Sequence, residues 1–313
     1  MVLIILTYFS VLFFLILIIS KAYKLASSPV HLRWELYPVP HESKEKAAYG
    51  GSKLEEVNWW TKRHKKNLLG ELTAMFSEIA FLKAVYEHNK DLWFGSYPFH
   101  FGLYLFIVNL FLMIIAGILN IIGIKINSEA SGFWGFYFII LNIILWTGST
   151  VGLIGSIRIM FSRIVDKDLS LYSTPSHYFN IFIIGMLYLT ALLWLITQSQ
   201  PVEQMITYYS SIFSFSINYS LPFIGILHTL IALFLFLYIP FTHMTHFFTK
   251  FFTYHKVRWE DEPNVKGSKM QEKIAKQLQN PVTWAAPHIG ADGKKNWIAI
   301  VTQPINKEDL DVK

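Results

Sequence analysis

Histidine is the residue type here whose placement is hardest to explain by packing. Of eleven histidines, five (His100, His177, His228, His243 and His246) lie in or at the ends of strongly apolar runs. Holding an ionisable group inside a membrane is costly, so an imidazole there is a candidate for proton transfer or metal ligation. His228 and His246 are 18 residues apart. On one unbroken helix that is five turns, which puts both on one side about 27 Å apart along the axis. His243 would be turned about 60° away from His246. With antiparallel helices, His100 at the start of one run and His246 at the end of another lie at matching depth. Two imidazoles facing across a bundle are what a six-coordinate haem needs, and such ligation favours electron transfer over oxygen chemistry. His177 and His243, taken alone, read as interfacial hydrogen-bonding groups.

The elements that must position these residues are transmembrane helices. Of the 313 residues, 53% are apolar and 17% aromatic, which excludes an ordinary soluble domain. Five stretches reach the roughly 20 apolar residues that a helical crossing requires: about 2–20, 99–122, 133–157, 178–198 and 221–241. The expected fold is an all-α membrane protein, a five-transmembrane-helix bundle. It divides into a first span (1–20), a loop (21–98), a four-helix core (99–249) and a tail (250–313). The first run has Lys21 and Lys24 after it and no basic residue before it, the reverse of a secretory leader. Lys and Arg number twelve in 21–98, three in 158–177 and eleven from Lys250 onward, against Lys125 alone in the alternate loops. That asymmetry predicts an outside N-terminus and a cytoplasmic loop and tail. The basic excess therefore reports topology, and nothing in its pattern points to nucleic acid. With no cysteine, the chain offers no thiolate for an iron-sulfur cluster, so such a centre belongs to a partner.

Between Leu68 and Trp93 apolar residues recur at helical spacing: Leu69, Leu72, Met75, Phe76, Ile79, Leu82, Val85 and Tyr86. This predicts an amphipathic helix that either lies on the membrane surface or docks a partner. Trp93 and Tyr97 follow at the level of an aromatic belt. Pro98, Pro175 and Pro222 mark span openings, and Pro240 predicts a kink just before the His243–His246 pair. Gly148, Gly152 and Gly155 form a small-residue stripe that lets another helix or a flat ring come close. Arg158 and Arg163 at the inner end of that span suit either anchoring or pairing with carboxylates. The tail reads as a short ordered extension without a core of its own, with turn signals around Ala291–Gly293.

Three segments resemble a known family: YPFHFGLYLF around His100, RIMFSRIVDKDLSLYSTPSHYFN between the third and fourth spans, and LHTLIALFLFLYIPFTHMTHFF with His228 and His246. They are similar to the gamma subunit of respiratory nitrate reductase and to the membrane cytochrome b subunits of sulfate-reducer and heterodisulfide-reductase-type complexes. The resemblance covers roughly residues 95–250. It implies haem b on His100 and His246 near the cytoplasmic face, with His228 matching a ligand of a second, outer haem. Arg158, Arg163 and His177 then fall near the cofactor, the arginines beside haem propionates. The outer haem's other ligand is expected ten residues after His100, where this chain has Leu110, next to Asn109. Met113, one turn along and about 60° around, is a weaker substitute. His228 serves instead as a proton acceptor for quinol, or as an interfacial group. The resemblance further implies menaquinone as the quinone, a cytoplasmic iron-sulfur partner of the heterodisulfide-reductase type, and a place in the cytoplasmic membrane of an anaerobic respiratory system. A haem-free anchor recruiting a cytoplasmic oxidoreductase is the alternative. A transporter or channel would need broken helices and charges at mid-bilayer, and the five runs carry almost none.

Overall fold

A computed structural model describes residues 1–27, 56–58, 61–62, 68–217, 219–252 and 265–304. Most of the loop from 28 to 67, and 253–264 in the tail, lie outside the described residues. The helices run α1 (Val2–Ser27), α2 (Leu68–Ala80), α3 (Lys83–His88), α4 (Lys90–Ile121), α5 (Gly132–Val165), α6 (Lys167–Leu171), α7 (Pro175–Thr197), α8 (Pro201–Phe213) and α9 (Phe223–Tyr238). Two 3-10 turns, Ile239–Phe241 and His243–Thr245, lead to α10 (His246–Lys250). The tail holds α11 (Lys269–Leu278), a hairpin of β1 (Ala285–Ala286) with β2 (Ala291–Asp292), and α12 (Trp297–Val301).

Five of these helices, α1, α4, α5, α7 and the Phe223–Phe241 stretch, are long and apolar enough to cross a membrane. The protein is all-α in character and built as a multi-pass membrane protein. Large apolar side chains such as Phe9, Phe111, Ile139 and Phe161 are exposed on the spans, as a lipid solvent demands. The chain divides into two compact units, Met1–Ile18 with Phe76–Thr245, and Ile19–Met75 with His246–Lys313.

In the first unit small residues set the helix contacts. Gly102 lies so close to α5 that a Cβ there would be 2.6 Å from the Gly152 Cα. A Cβ at Gly155 would meet the Phe99 backbone, and one at Gly152 would enter the ring of Tyr188 on α7. The glycine stripe thus does both things its spacing allows: it admits a helix and a flat ring. Tyr188, fully buried, donates its hydroxyl to the Phe99 carbonyl at 2.8 Å. It centres a cluster of Phe99, Ile159, Ile181, Ile184, Leu235 and Met244. A second cluster gathers Ile4, Met113, Trp194, Val202, Met205, Ile206 and Tyr208.

Several elements differ from the sequence reading. The amphipathic stretch 68–93 is not one helix. It breaks at Leu82, which takes a left-handed conformation (φ 50°), and again at Asn89, whose side chain caps α4 by accepting from Leu92 N–H at 2.9 Å. Helix α4 therefore begins at Lys90 and carries Pro98 inside it, not at its opening. The stretch 199–220 between the fourth and fifth apolar runs contains α8, opened by Pro201 and Glu203 and burying Val202, Met205, Ile206 and Tyr208. Ser210 on α8 donates to the Gly117 carbonyl (3.0 Å) and accepts from Asn120 (2.9 Å), fastening α8 to α4. The break at Pro240 is larger than a kink, because α9 ends at Tyr238 and helix resumes at His246. In the second unit, Val282, Ala291 and Ile300 pack with Trp297, so the tail has a small core of its own.

Candidate functional site

Which nitrogen of an imidazole keeps the proton decides what the ring can do. On α4, His100 is half-buried and its Nδ1 lies 2.7 Å from the Ser96 carbonyl, one turn back. A carbonyl only accepts, so Nδ1 carries the hydrogen and Nε2 carries the lone pair. On α9, His228 Nδ1 is 3.1 Å from the Thr190 hydroxyl oxygen. That hydroxyl spends its own hydrogen on the Met186 carbonyl at 2.8 Å, so its oxygen accepts from His228. His228 is again the Nδ1–H tautomer, with the lone pair on Nε2. A ligand histidine held this way has its tautomer and ring orientation fixed.

His177 is the opposite case. Its Nδ1 accepts from the Thr174 backbone N–H at 3.0 Å, at the start of α7. In the neutral ring the hydrogen is then on Nε2, which makes His177 a cap and a donor. Its ring stands 4.9 Å from that of His243, and His243 Nε2 is 3.4 Å from the Asn180 amide. The His243 turn is thus seated against the first turns of α7.

His246 opens α10 and is exposed. Because the helix is interrupted between Tyr238 and His246, the five-turn relation to His228 does not hold. The angular preference for His246 over His243 goes with it.

Around His228 the structure adds residues that spacing did not single out. Trp194 on α7 lies with its ring centre 5.8 Å from that of His228. It rests on Gly225, where a Cβ would be 2.7 Å from the indole, and its N–H donates to Gln204 at 2.8 Å. Thr190, Trp194 and the Leu187 backbone thus face His228 from α7. A Gly in an apolar helix, a Trp and a Thr at one helical spacing were the available signals. On α4, Asn109 and Met113 point inward and Leu110 is half-buried. Asn109 is 6% exposed, and its carbonyl oxygen is without a hydrogen-bond partner among the described residues.

At the other end, the Arg158 stem crosses α4 at Gly95, where a Cβ would be 3.0 Å from its Cγ. Arg163 donates to Ser173 at 2.7 Å, and its backbone carbonyl accepts from Tyr178 at 2.9 Å. The Arg163 Nε is buried without a partner among the described residues. Both guanidinium groups therefore belong to the end of the bundle where α4 starts, the end that carries His100. Among the described residues no three His, Cys, Asp or Glu side chains gather as a metal site. Two axial imidazoles need no such cluster. Comparison with protein-family models, with curated proteins and with solved structures found no match.

Proposed function

We propose that this chain is the membrane cytochrome b subunit of a respiratory redox complex in the cytoplasmic membrane. It moves electrons between menaquinone and an iron-sulfur partner of the heterodisulfide-reductase type, with the N-terminus outside and the tail cytoplasmic. The observation that carries the reading is His100: a half-buried imidazole within a span, its ring oriented by the Nδ1–H bond to the Ser96 carbonyl. A capping histidine has no use for that arrangement, as His177 shows.

His100 would hold haem b from α4, and His246 is its partner on the strength of the family resemblance. Bound haem b would supply one-electron transfer. Arg158 and Arg163 bring positive charge to the same end for carboxylates. His228, its ring oriented by Thr190, accepts a proton from a quinol hydroxyl or ligates a second iron. The Asn109 oxygen, buried on α4 and unpaired among the described residues, is an available acceptor.

The test is a reduced-minus-oxidised spectrum of the purified full chain with haem quantitation. A b-type spectrum that disappears in His100→Ala supports the proposal. The rival, a haem-free anchor, is favoured by the interruption before His246. It expects no such spectrum, with recruitment of the cytoplasmic enzyme unchanged in His100→Ala.

A further inference from the structure

Helix α2 is amphipathic in the wrong sense for water. At 100° per residue, Leu69, Leu72, Phe76 and Ile79 form one stripe about 15 Å long. All four are exposed, Leu69 by 73% and Phe76 by 64%. The opposite side carries Gly70, Ala74, Ser77 and Glu78, which are half-buried. A helix beside a water-facing protein surface turns its polar side out, whereas α2 turns its apolar side out.

The end of α2 is fastened to a membrane span. Tyr104 on α4 donates to the Ile79 carbonyl at 2.6 Å, and the Trp93 indole donates to the Phe81 carbonyl at 2.8 Å. Rings then run without interruption from α2 onto α4. Phe76 meets Phe81 (5.9 Å), Phe81 meets Tyr97 (6.5 Å), and Tyr97 stacks between Trp93 (4.7 Å) and Phe101 (5.8 Å). Phe76 and Ile79 at the end of the stripe thus adjoin the surface of α4, where Phe94, Ile107 and Phe111 are also exposed. Just ahead of α2 the sequence places Lys62, Arg63, Lys65 and Lys66, a basic run suited to anionic headgroups.

We propose that α2 is an interfacial membrane helix whose Leu69, Leu72, Phe76 and Ile79 stripe is embedded in the lipid leaflet beside α4. The occupant of this face is lipid, and the helix anchors the loop to the bilayer independently of any haem. Rings at the α2–α4 junction supply the amphipathic bodies that interfaces favour.

The absence of cysteine makes the test direct. The full chain, carrying Leu72→Cys or Phe76→Cys, is spin-labelled and placed in nanodiscs of phosphatidylcholine with phosphatidylglycerol. Phe111→Cys on α4 is the lipid reference, and Glu272→Cys in the tail is the aqueous one. Both stripe labels should resemble Phe111→Cys, several-fold more accessible to oxygen, relative to a water-soluble nickel chelate, than the Glu272→Cys label. Resemblance to the Glu272→Cys label would overturn the proposal by making the stripe a solvated face. Low accessibility to both reagents would overturn it in favour of a protein cover, a second copy included. Two positions keep the result readable if Phe76→Cys disturbs its contact with Phe81.

Discussion

At the scale of the residue, tautomers separate His100 and His228 from the capping His177, and no spacing rule in the sequence displays them. His100 and His228 hold a proton on Nδ1, and His177 accepts there. The sequence did reveal that His100, His228 and His177 lie in apolar surroundings. It could not reveal that Thr190 and Trp194 face His228, because those contacts join helices 38 and 34 residues apart in the chain. His177→Ala should cost about 1 kcal/mol through the lost cap, seen as a lower Tm, while any b-type absorbance is retained. Loss of that absorbance in folded protein would assign His177 to the cofactor instead. Tyr188→Phe removes the hydrogen bond to the Phe99 carbonyl and should destabilise by about 1 kcal/mol, measured by thermal denaturation in detergent.

At the scale of the element, glycines and prolines were legible as breakers and spacers, but the size of their effect was not. Gly148, Gly152 and Gly155 were readable as a stripe, yet only the packed helices show which neighbour each one admits. Gly155→Val should push α5 from the Phe99 backbone and cost roughly 3 kcal/mol or more. Gly185→Ala, whose Cβ would sit 3.3 Å from the Ser156 Cβ, should cost well under that; comparing the two Tm values checks the contrast. Pro240 was read as a kink because FTHMTHFF continues the apolar run and hides the stop. The left-handed Leu82 was equally hidden, since leucine signals no turn. In the tail, Asp292 accepts from the backbone N–H groups of Lys295 (2.8 Å) and Lys294 (2.9 Å). Those bonds hold its carboxyl below the usual range. With a depressed folded pKa, the support it gives the turn is present above the ordinary carboxylate range and is lost as pH falls through the lowered value. The Lys294 and Lys295 amide shifts should titrate with Asp292, and in Asp292→Ala both amides should exchange faster with solvent.

At the scale of the whole molecule, five apolar runs and five membrane-crossing helices agree, because length and hydropathy alone decide a span. What the runs concealed were their ends, with α4 starting at Lys90 and α9 stopping at Tyr238, and the helix α8 between two spans. The lysine and arginine asymmetry predicts that green fluorescent protein fused to the C-terminus fluoresces and that alkaline phosphatase there is inactive; an active phosphatase fusion would invert the topology. The central claim, that the bundle carries haem b, is tested most directly by haem quantitation on the purified full chain beside its His100→Ala and His246→Ala variants. At least one haem b per chain, lost in both variants, is the outcome predicted here. A wild-type chain without b-type absorbance, or both variants keeping it intact, would contradict the claim.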